Sequence, residues 1–226
     1  MKSFIQRLRP VLTGPVLTGL LLSLMAAALF GAIAEDVATR DPVVRFDQAV
    51  ETWLVVTVTP HLTGLSSNIS LFGNAYVITA LSALIIGWWA WKRNWSLAAG
   101  MLASVAGGGA LNFLLKAVFQ RPRPDLPTVT LHLADFSFPS GHAMISLIFY
   151  GFLAFVLIRN TRSISRRWLI SLCAALIPLV VGLSRLVLGV HYSSDVLAGW
   201  LAGATWLTLC LTMVSARPAL LASRTP

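Results

Sequence analysis

The sequence predicts an all-α integral membrane protein, a bundle of six transmembrane helices with a short outer interfacial helix. Hydrophobic residues make up 57% of the 226 residues and charged residues only 11%, whereas a soluble domain carries about a quarter charged residues. The mean hydropathy is +0.79. Because a spanning helix needs roughly 20 apolar residues, one bundle takes up the whole length. Residues 1–226 are therefore expected to form a single domain.

Six charge-poor runs mark the predicted spans, near residues 11–34, 69–91, 96–115, 141–158, 168–188 and 196–216. Eleven of the 17 basic residues fall on the side that holds both termini, and all eight acidic residues fall on the other side. The positive-inside rule then predicts cytoplasmic termini in a cytoplasmic membrane. The net charge of +9 is thus explained by orientation in the bilayer, and no nucleic-acid partner is expected.

The first span has an alternative interpretation as a secretory signal peptide. Lys2, Arg7 and Arg9 precede an apolar run that ends in Ala32-Ile33-Ala34, which is similar to a cleavage site. The uncharged run extends from residue 11 to residue 34, however, and the apolar core of a signal peptide is only about 7 to 15 residues long. The length favours a retained transmembrane helix.

The outer segment at residues 35–66 carries apolar side chains at helical spacing, which predicts the interfacial helix. Its apolar positions are Phe46, Val50, Trp53, Leu54 and Thr57, with Asp47, Gln48 and Glu51 elsewhere on the helical wheel. Pro60, Gly64 and the cluster Ser66-Ser67-Asn68 are expected to separate this helix from the second span. Both a packing role and a substrate gate remain open for it.

Four features inside the spans have packing interpretations. Gly107-Gly108-Gly109 is predicted to allow close helix packing, since no Gly-Lys-Ser or Gly-Lys-Thr follows to make a phosphate loop. Asn112 is expected to form a hydrogen bond with a neighbouring helix, and Pro178 to kink or locally open the fifth span. Cys173 and Cys210 are interpreted as buried apolar residues that form no disulfide.

A polar cluster before the sixth span interrupts this apolar sequence. In a first helical turn, His191 and Asp195 lie at positions i and i+4, so that the carboxylate accepts the imidazole N–H and the other ring nitrogen keeps its lone pair. Arg185 precedes them across a turn predicted at Gly189, and its guanidinium suits phosphate oxygens. The pattern indicates a nucleophilic imidazole beside a phosphate-binding site.

Two other stretches supply the remaining groups for phosphoryl transfer, which requires positioning and fixed positive charge. Lys116 and Arg123 add two cations, and Ser140 and the Gly141 N–H add donors at a predicted helix N-terminus. Glycine allows the backbone to approach closely. No Cys, His or carboxylate set has metal-ligand spacing, so neither a metal nor another cofactor is expected.

Together the three stretches match, in order, the signature motifs of the type 2 phosphatidic acid phosphatase superfamily, which this sequence resembles. The motifs are Lys-x6-Arg-Pro from Lys116, Pro139-Ser140-Gly141-His142, and Ser184-Arg185-x5-His191-x3-Asp195. The resemblance implies that His191 attacks phosphorus to form a phosphohistidine and that Asp195 orients it. His142 would protonate the leaving group and later activate water. Only Arg123 satisfies the motif spacing, so Arg121 is interpreted as a substrate-charge or surface residue.

The resemblance implies a membrane lipid phosphatase that acts on a lipid phosphate at the outer face. Undecaprenyl pyrophosphate, phosphatidylglycerol phosphate and phosphatidic acid are the leading substrates. A lipid A phosphatase, a lipid-to-lipid phosphotransferase and a catalytically silent lipid-binding or transport protein are the alternatives. The outer loops at residues 35–66 and 125–138 contain no motif for a particular lipid; Asp125, His132 and Asp135 in the second loop either position a headgroup or solvate the loop.

Overall fold

The computed structural model describes residues 14–39, 42–125 and 135–222, and within them every regular element is helical. The helices are α1 (Gly14–Thr39), α2 (Pro42–Thr57), α3 (Thr59–Ser70), α4 (Ala75–Trp91), α5 (Trp95–Phe119), α6 (Gly141–Arg159), α7 (Ile164–Val187) and α8 (Ser193–Ala222). Six segments of the described chain are long and apolar enough to cross a membrane, with α3 and α4 sharing one of them. The predicted multi-pass membrane bundle is confirmed.

Helix α6 lies at the centre of the bundle and packs against α5, α7 and α8, while α1 lies along α8. Its side chains Met144, Ile148 and Phe152 are fully buried. Large apolar side chains on the other helices face outward, among them Leu84 on α4, Phe113 on α5 and Trp168 on α7. A bilayer solvates such a surface, since apolar side chains gain nothing by leaving lipid for another apolar environment.

Glycines let the helices approach as predicted, but not at every position. A Cβ at Gly107 would collide with the Trp206 ring, and one at Gly108 would lie 2.5 Å from Ile148 Cδ1. Gly109 faces open space, so the packing interpretation is wrong for that residue. The structure also places Cys173 on an exposed face of α7, which corrects the expectation that it is buried; Cys210 is buried as predicted.

The outer helix is separated from the second span at Pro60, as predicted, since α2 ends at Thr57 and α3 begins at Thr59 with Pro60 in its first turn. The polar residues that follow Pro60 do not form part of this break. Gly64 and Ser66-Ser67-Asn68 lie inside α3, and the interruption between α3 and α4 is a 3-10 turn at Leu71–Gly73. Ser66 and Ser70 are buried because α3 packs against α7, and this contact outweighs the modest helix propensity of Ser, Asn and Gly. At the turn, a Cβ on Gly73 would lie 3.2 Å from the His142 carbonyl oxygen.

The predicted outer helix is present as α2, with Phe46, Trp53 and Val56 exposed. Its acidic residue Asp47 is buried, however, with 1% of its surface exposed. The amphipathic pattern separated Asp47 from the apolar positions but gave no indication that the protein encloses this carboxylate.

Candidate active site

Four helix ends meet at one end of the bundle and carry the predicted site residues. Lys116 lies in the last turn of α5, Arg185 in the last turn of α7, and Asp195 in the first turn of α8. Ser140 directly precedes α6 and makes no side-chain capping bond, and its backbone N–H donates to the Asp195 carbonyl at 2.9 Å. Because the chain enters or leaves the bundle at each of these ends, the three motifs share one face of the bundle.

The α7–α8 connection has the predicted turn. Gly189 has φ of 66°, a left-handed conformation that glycine adopts without a steric penalty. The Val190 N–H bonds to the Arg185 carbonyl at 3.2 Å and closes the end of α7. This turn brings His191 back over the end of the helix that carries Arg185.

His191 and Asp195 make the predicted contact, but His191 lies in the bend before α8, which begins at Ser193, and the expectation that it lies in a helical turn is wrong. Nδ1 of His191 lies 3.3 Å from Asp195 Oδ2, which also accepts the Tyr192 backbone N–H at 3.0 Å. Nε2 of His191 lies 3.2 Å from Nη1 of Arg123. A proton on Nδ1, assigned from this network, leaves the Nε2 lone pair directed at the cationic side of the site.

Burial holds His191 neutral. Burial is the main cause that lowers the pKa of His191 to about 4, and Arg123 and Arg185 lower it further against the opposing effect of Asp195. A neutral imidazole is the nucleophilic form. His142, at the start of α6, is close enough to interact electrostatically with His191, Arg185, Arg123 and Lys116.

The predicted phosphate-binding residues contain donors that no atom of the described residues satisfies. Ser140 Oγ and Arg185 Nε are two of three buried side-chain polar atoms without a hydrogen-bond partner among the described residues. Arg185 is held through Nη1, which donates to Ser70 Oγ at 2.5 Å. Since an unsatisfied buried donor costs free energy, two of them at the helix ends that meet at this site indicate a place for an anion.

The backbone of the second motif is held in place by Asn112 and by three aromatic rings. Asn112 Nδ2 donates to the Pro139 carbonyl before α6 at 3.2 Å and to Met144 Sδ on α6 at 3.7 Å, the second being the predicted bond to a neighbouring helix. A Cβ on Gly141 would lie 2.9 Å from Asn112 Oδ1. Phe138 is fully buried, and its ring centroid lies 4.9 Å from that of Phe119 and 5.9 Å from that of Phe30. These contacts fix where the α6 N-terminus points.

The chain belongs to a known family by direct comparison. Residues 97–219, more than half of the chain, match the family model described as the PAP2 superfamily. Phosphatidylglycerophosphatase B of Bacillus subtilis is 31% identical over 161 residues, which cover 70% of this chain and 77% of the relative. This protein is a member of the PAP2 superfamily.

A second curated relative and a solved structure agree with that membership. The undecaprenyl-diphosphatase of Sulfolobus acidocaldarius is 31% identical over 65% of this chain and 68% of its own length. The crystal structure of a transmembrane PAP2-type phosphatidylglycerolphosphate phosphatase from Bacillus subtilis aligns with a TM-score of 0.76 and 28% identity, over 84% of this chain and 94% of that one.

The family motifs did not reveal the role of Arg121. Its side chain is only 9% exposed; Nη1 bonds to Asp195 Oδ1 at 2.6 Å and Nη2 to Asp47 Oδ2 at 2.8 Å. The interpretation as a substrate-charge or surface residue is wrong. The sequence around Arg121 did not indicate these two ion pairs, because its partner Asp47 lies on α2, outside every motif.

Asp135 also has a definite place, which neither loop interpretation described. Its carboxylate lies 2.5 Å from Lys116 Nζ and 2.5 Å from Arg123 Nη2. These hydrogen bonds and charges hold the pKa of Asp135 at about 2 although partial burial acts in the opposite direction. Asp125 is exposed, and His132 lies outside the described residues.

Proposed function

We propose that this PAP2 protein is a membrane lipid phosphatase that removes a terminal phosphate from a lipid phosphate or pyrophosphate through a phosphohistidine on His191. The observation that carries the proposal is the pair of contacts on one imidazole, Nδ1 to Asp195 Oδ2 at 3.3 Å and Nε2 to Arg123 Nη1 at 3.2 Å. The first contact orients the ring, and the second puts its free nitrogen among cations that bind phosphoryl oxygens.

In the first step His191 Nε2 attacks phosphorus, and the bond from phosphorus to the lipid oxygen breaks. His142 donates a proton to that oxygen, so the lipid leaves as an alcohol or, from a pyrophosphate, as a monophosphate. Lys116, Arg123 and Arg185 neutralise the charge that spreads over the phosphoryl oxygens. Asp195 stabilises the positive charge that develops on the His191 ring.

In the second step a water molecule attacks the phosphohistidine. His142 takes a proton from this water, the P–N bond breaks, and inorganic phosphate is released. Ser140 Oγ and the Gly141 N–H at the start of α6 donate to the phosphoryl oxygens in both steps, as a helix N-terminus favours an anion. The site residues supply the positive charge themselves, so the proposed hydrolysis involves no metal.

The proposed location is the cytoplasmic membrane, with both termini in the cytoplasm and the site at the outer face. The charge asymmetry of the connecting segments supports this orientation. Undecaprenyl pyrophosphate, phosphatidylglycerol phosphate and phosphatidic acid are the proposed substrates, and the first two are in line with the names of the two curated relatives. The whole chain acts as one domain in this proposal.

Phosphate release from purified protein tests the function on a panel of these three lipids and lipid A, each with and without an acceptor lipid. Hydrolysis gives inorganic phosphate in both conditions, whereas a phosphotransferase gives a phosphorylated acceptor. His191→Ala is expected to abolish phosphoenzyme trapped by acid quench. His142→Ala is expected to lose less activity on an aryl phosphate, whose leaving group needs little protonation. A wild-type protein that binds these lipids without any turnover would instead support the silent binding protein.

A further inference from the structure

Arg121 lies at the centre of a buried ion-pair cluster that joins three parts of the chain. It connects Asp195 on α8 with Asp47 on α2, and the two carboxylates are 0% and 1% exposed. Its guanidinium carbon lies 4.1 Å from the centroid of the Tyr192 ring. A planar fork with two N–H edges can bridge two carboxylates in this way, and a lysine ammonium cannot.

On the Asp195 side, Arg121 fixes the carboxylate that contacts His191. Arg121 binds Oδ1, and His191 Nδ1 and the Tyr192 N–H share Oδ2. A carboxylate held at both oxygens cannot rotate about its Cβ–Cγ bond without breaking a charge-assisted hydrogen bond. The Arg121 charge also offsets part of the negative potential that Asp195 exerts on the imidazole.

On the other side, Asp47 joins α2 to the start of α8. Its Oδ1 accepts from Ser193 Oγ at 2.6 Å and from the Ser194 backbone N–H at 2.9 Å, and its Oδ2 accepts from Ser194 Oγ. It therefore satisfies donors in the first turn of α8, as a capping residue would, although it belongs to a different helix. That turn carries Asp195.

We propose that Asp47 and Arg121 are positioning residues that act through Asp195 on His191, so that the outer helix α2 is part of the reaction apparatus. The inference rests on the proposed function, in which His191 is the nucleophile. In this proposal the two faces of α2 have different roles: one is apolar, with Phe46 and Trp53 exposed, and the other carries the buried carboxylate of Asp47. The apolar face lies toward the surroundings, and Asp47 holds the first turn of α8.

The charges around His191 determine in which direction the pKa of His191 changes in each variant. They come from every element that packs there: Asp195 on α8, Arg185 on α7, His142 on α6, Lys116 on α5, Arg121, Arg123 and Asp135 after α5, and Asp47 and Glu51 on α2. Removing the Arg121 charge leaves Asp195 free to stabilise the imidazolium, which raises the pKa of His191. Removing the Asp47 charge gives Arg121 entirely to Asp195, which lowers it.

Asp47→Asn, Arg121→Gln and Arg121→Lys are compared with wild type by kcat and KM across the acid pH range. By analogy with the partner that orients a metal-bound histidine, whose loss costs about 10–100-fold, we expect a loss of that size in kcat with KM nearly unchanged. The acid limb of kcat/KM should move to higher pH in Arg121→Gln and to lower pH in Asp47→Asn. Substrate ionisation is common to all variants and cancels in the comparison.

Arg45→Gln is the matched control, since it removes a charge from an exposed position two residues from Asp47 on the same helix. It should shift neither the limb nor kcat. If the role were purely structural, the variants would contain less active enzyme, but the acid limb of kcat/KM would stay at the same pH in all of them. That result would overturn the inference. If Arg121→Gln gives no folded protein by thermal unfolding, Asp47→Asn and Arg121→Lys decide the outcome.

Nitrogen-15 NMR of labelled histidine gives a readout that does not depend on turnover. Wild type should show the Nδ1–H tautomer at His191, and Arg121→Gln should show a mixture of tautomers. If wild type hydrolyses no lipid of the panel but the tautomer changes, the proposed function fails and the positioning role stands. If wild type is active and neither the tautomer nor the pH limb changes, the positioning role fails alone.

Discussion

Substituting Asp195 by Asn tests the central contact of the site, because the side chain keeps its shape and loses its charge. Asp195 Oδ1 accepts from Arg121 at 2.6 Å, while Oδ2 accepts from the Tyr192 N–H at 3.0 Å and faces His191 Nδ1 at 3.3 Å. Asn offers one oxygen and one NH2 group, so one of these sides must meet a donor with a donor.

Both orientations of the amide impair the site. With the oxygen toward Arg121, the amide NH2 faces His191 Nδ1, which must then accept, and the proton moves to the Nε2 atom that attacks phosphorus. With the oxygen toward His191, the NH2 opposes the Arg121 guanidinium. In either case the charge that stabilises the developing imidazolium is lost, and the chemical step should slow by roughly 10²–10⁴, by analogy with the loss of the orienting carboxylate in the Ser-His-Asp triad.

The structure also predicts a stability cost that a simple His-Asp pair would not have. Removing one partner of a buried ion pair costs about 3–5 kcal/mol, and the cost of Asp195→Asn should lie at or below the lower end because Asp47 still pairs with Arg121. The measurements are single-turnover rates, trapped phosphoenzyme and thermal unfolding, with Asp125→Asn as a control that removes an exposed carboxylate from the segment after α5. Near-native turnover in folded Asp195→Asn would refute the oriented-nucleophile assignment.

Four further outcomes are expected. Because the pKa of His191 is lowered to about 4, the acid limb of kcat/KM, corrected for substrate ionisation, should lie near pH 4, and an acid limb near pH 6.5 would contradict this. The same lowered pKa makes the free energy of unfolding fall as the pH drops from about 6.5 toward 4, because the unfolded chain then binds a proton that the folded protein does not. Asp135→Asn removes the carboxylate that pairs with Lys116 and Arg123, so inorganic phosphate should inhibit severalfold more strongly. An unchanged inhibition constant would show that Asp135 does not compete with phosphate for these two cations. Cys173, which is exposed, is first replaced by serine. In that background Asp125→Cys should react with a membrane-impermeant thiol reagent outside intact cells, and Ser165→Cys should not. The reverse labelling pattern would show that the proposed topology is inverted. Strong chelator should leave turnover intact, and a loss that only magnesium or manganese restores would refute the metal-free mechanism.

The spans and the motif residues could be predicted from the sequence because both depend on local information. A run of apolar residues must be helical in a bilayer, since its backbone groups have no other partners there. The spacing of four residues predicted the His191–Asp195 contact, although the contact does not form within one helical turn, because α8 begins at Ser193 and His191 lies in the bend before it. Gly189 was likewise predictable, as a turn that needs positive φ favours glycine.

The supporting contacts were decided by tertiary structure alone. Asp47 looked like a polar residue on an amphipathic helix, and Arg121 like a surplus cation next to Arg123. Each acquires its role from a partner 74 residues away in the chain, and a local sequence pattern cannot predict a contact between residues so far apart. A buried charge is tolerated only where several partners converge on it, and that convergence exists only once α2, the end of α5 and the start of α8 have packed together.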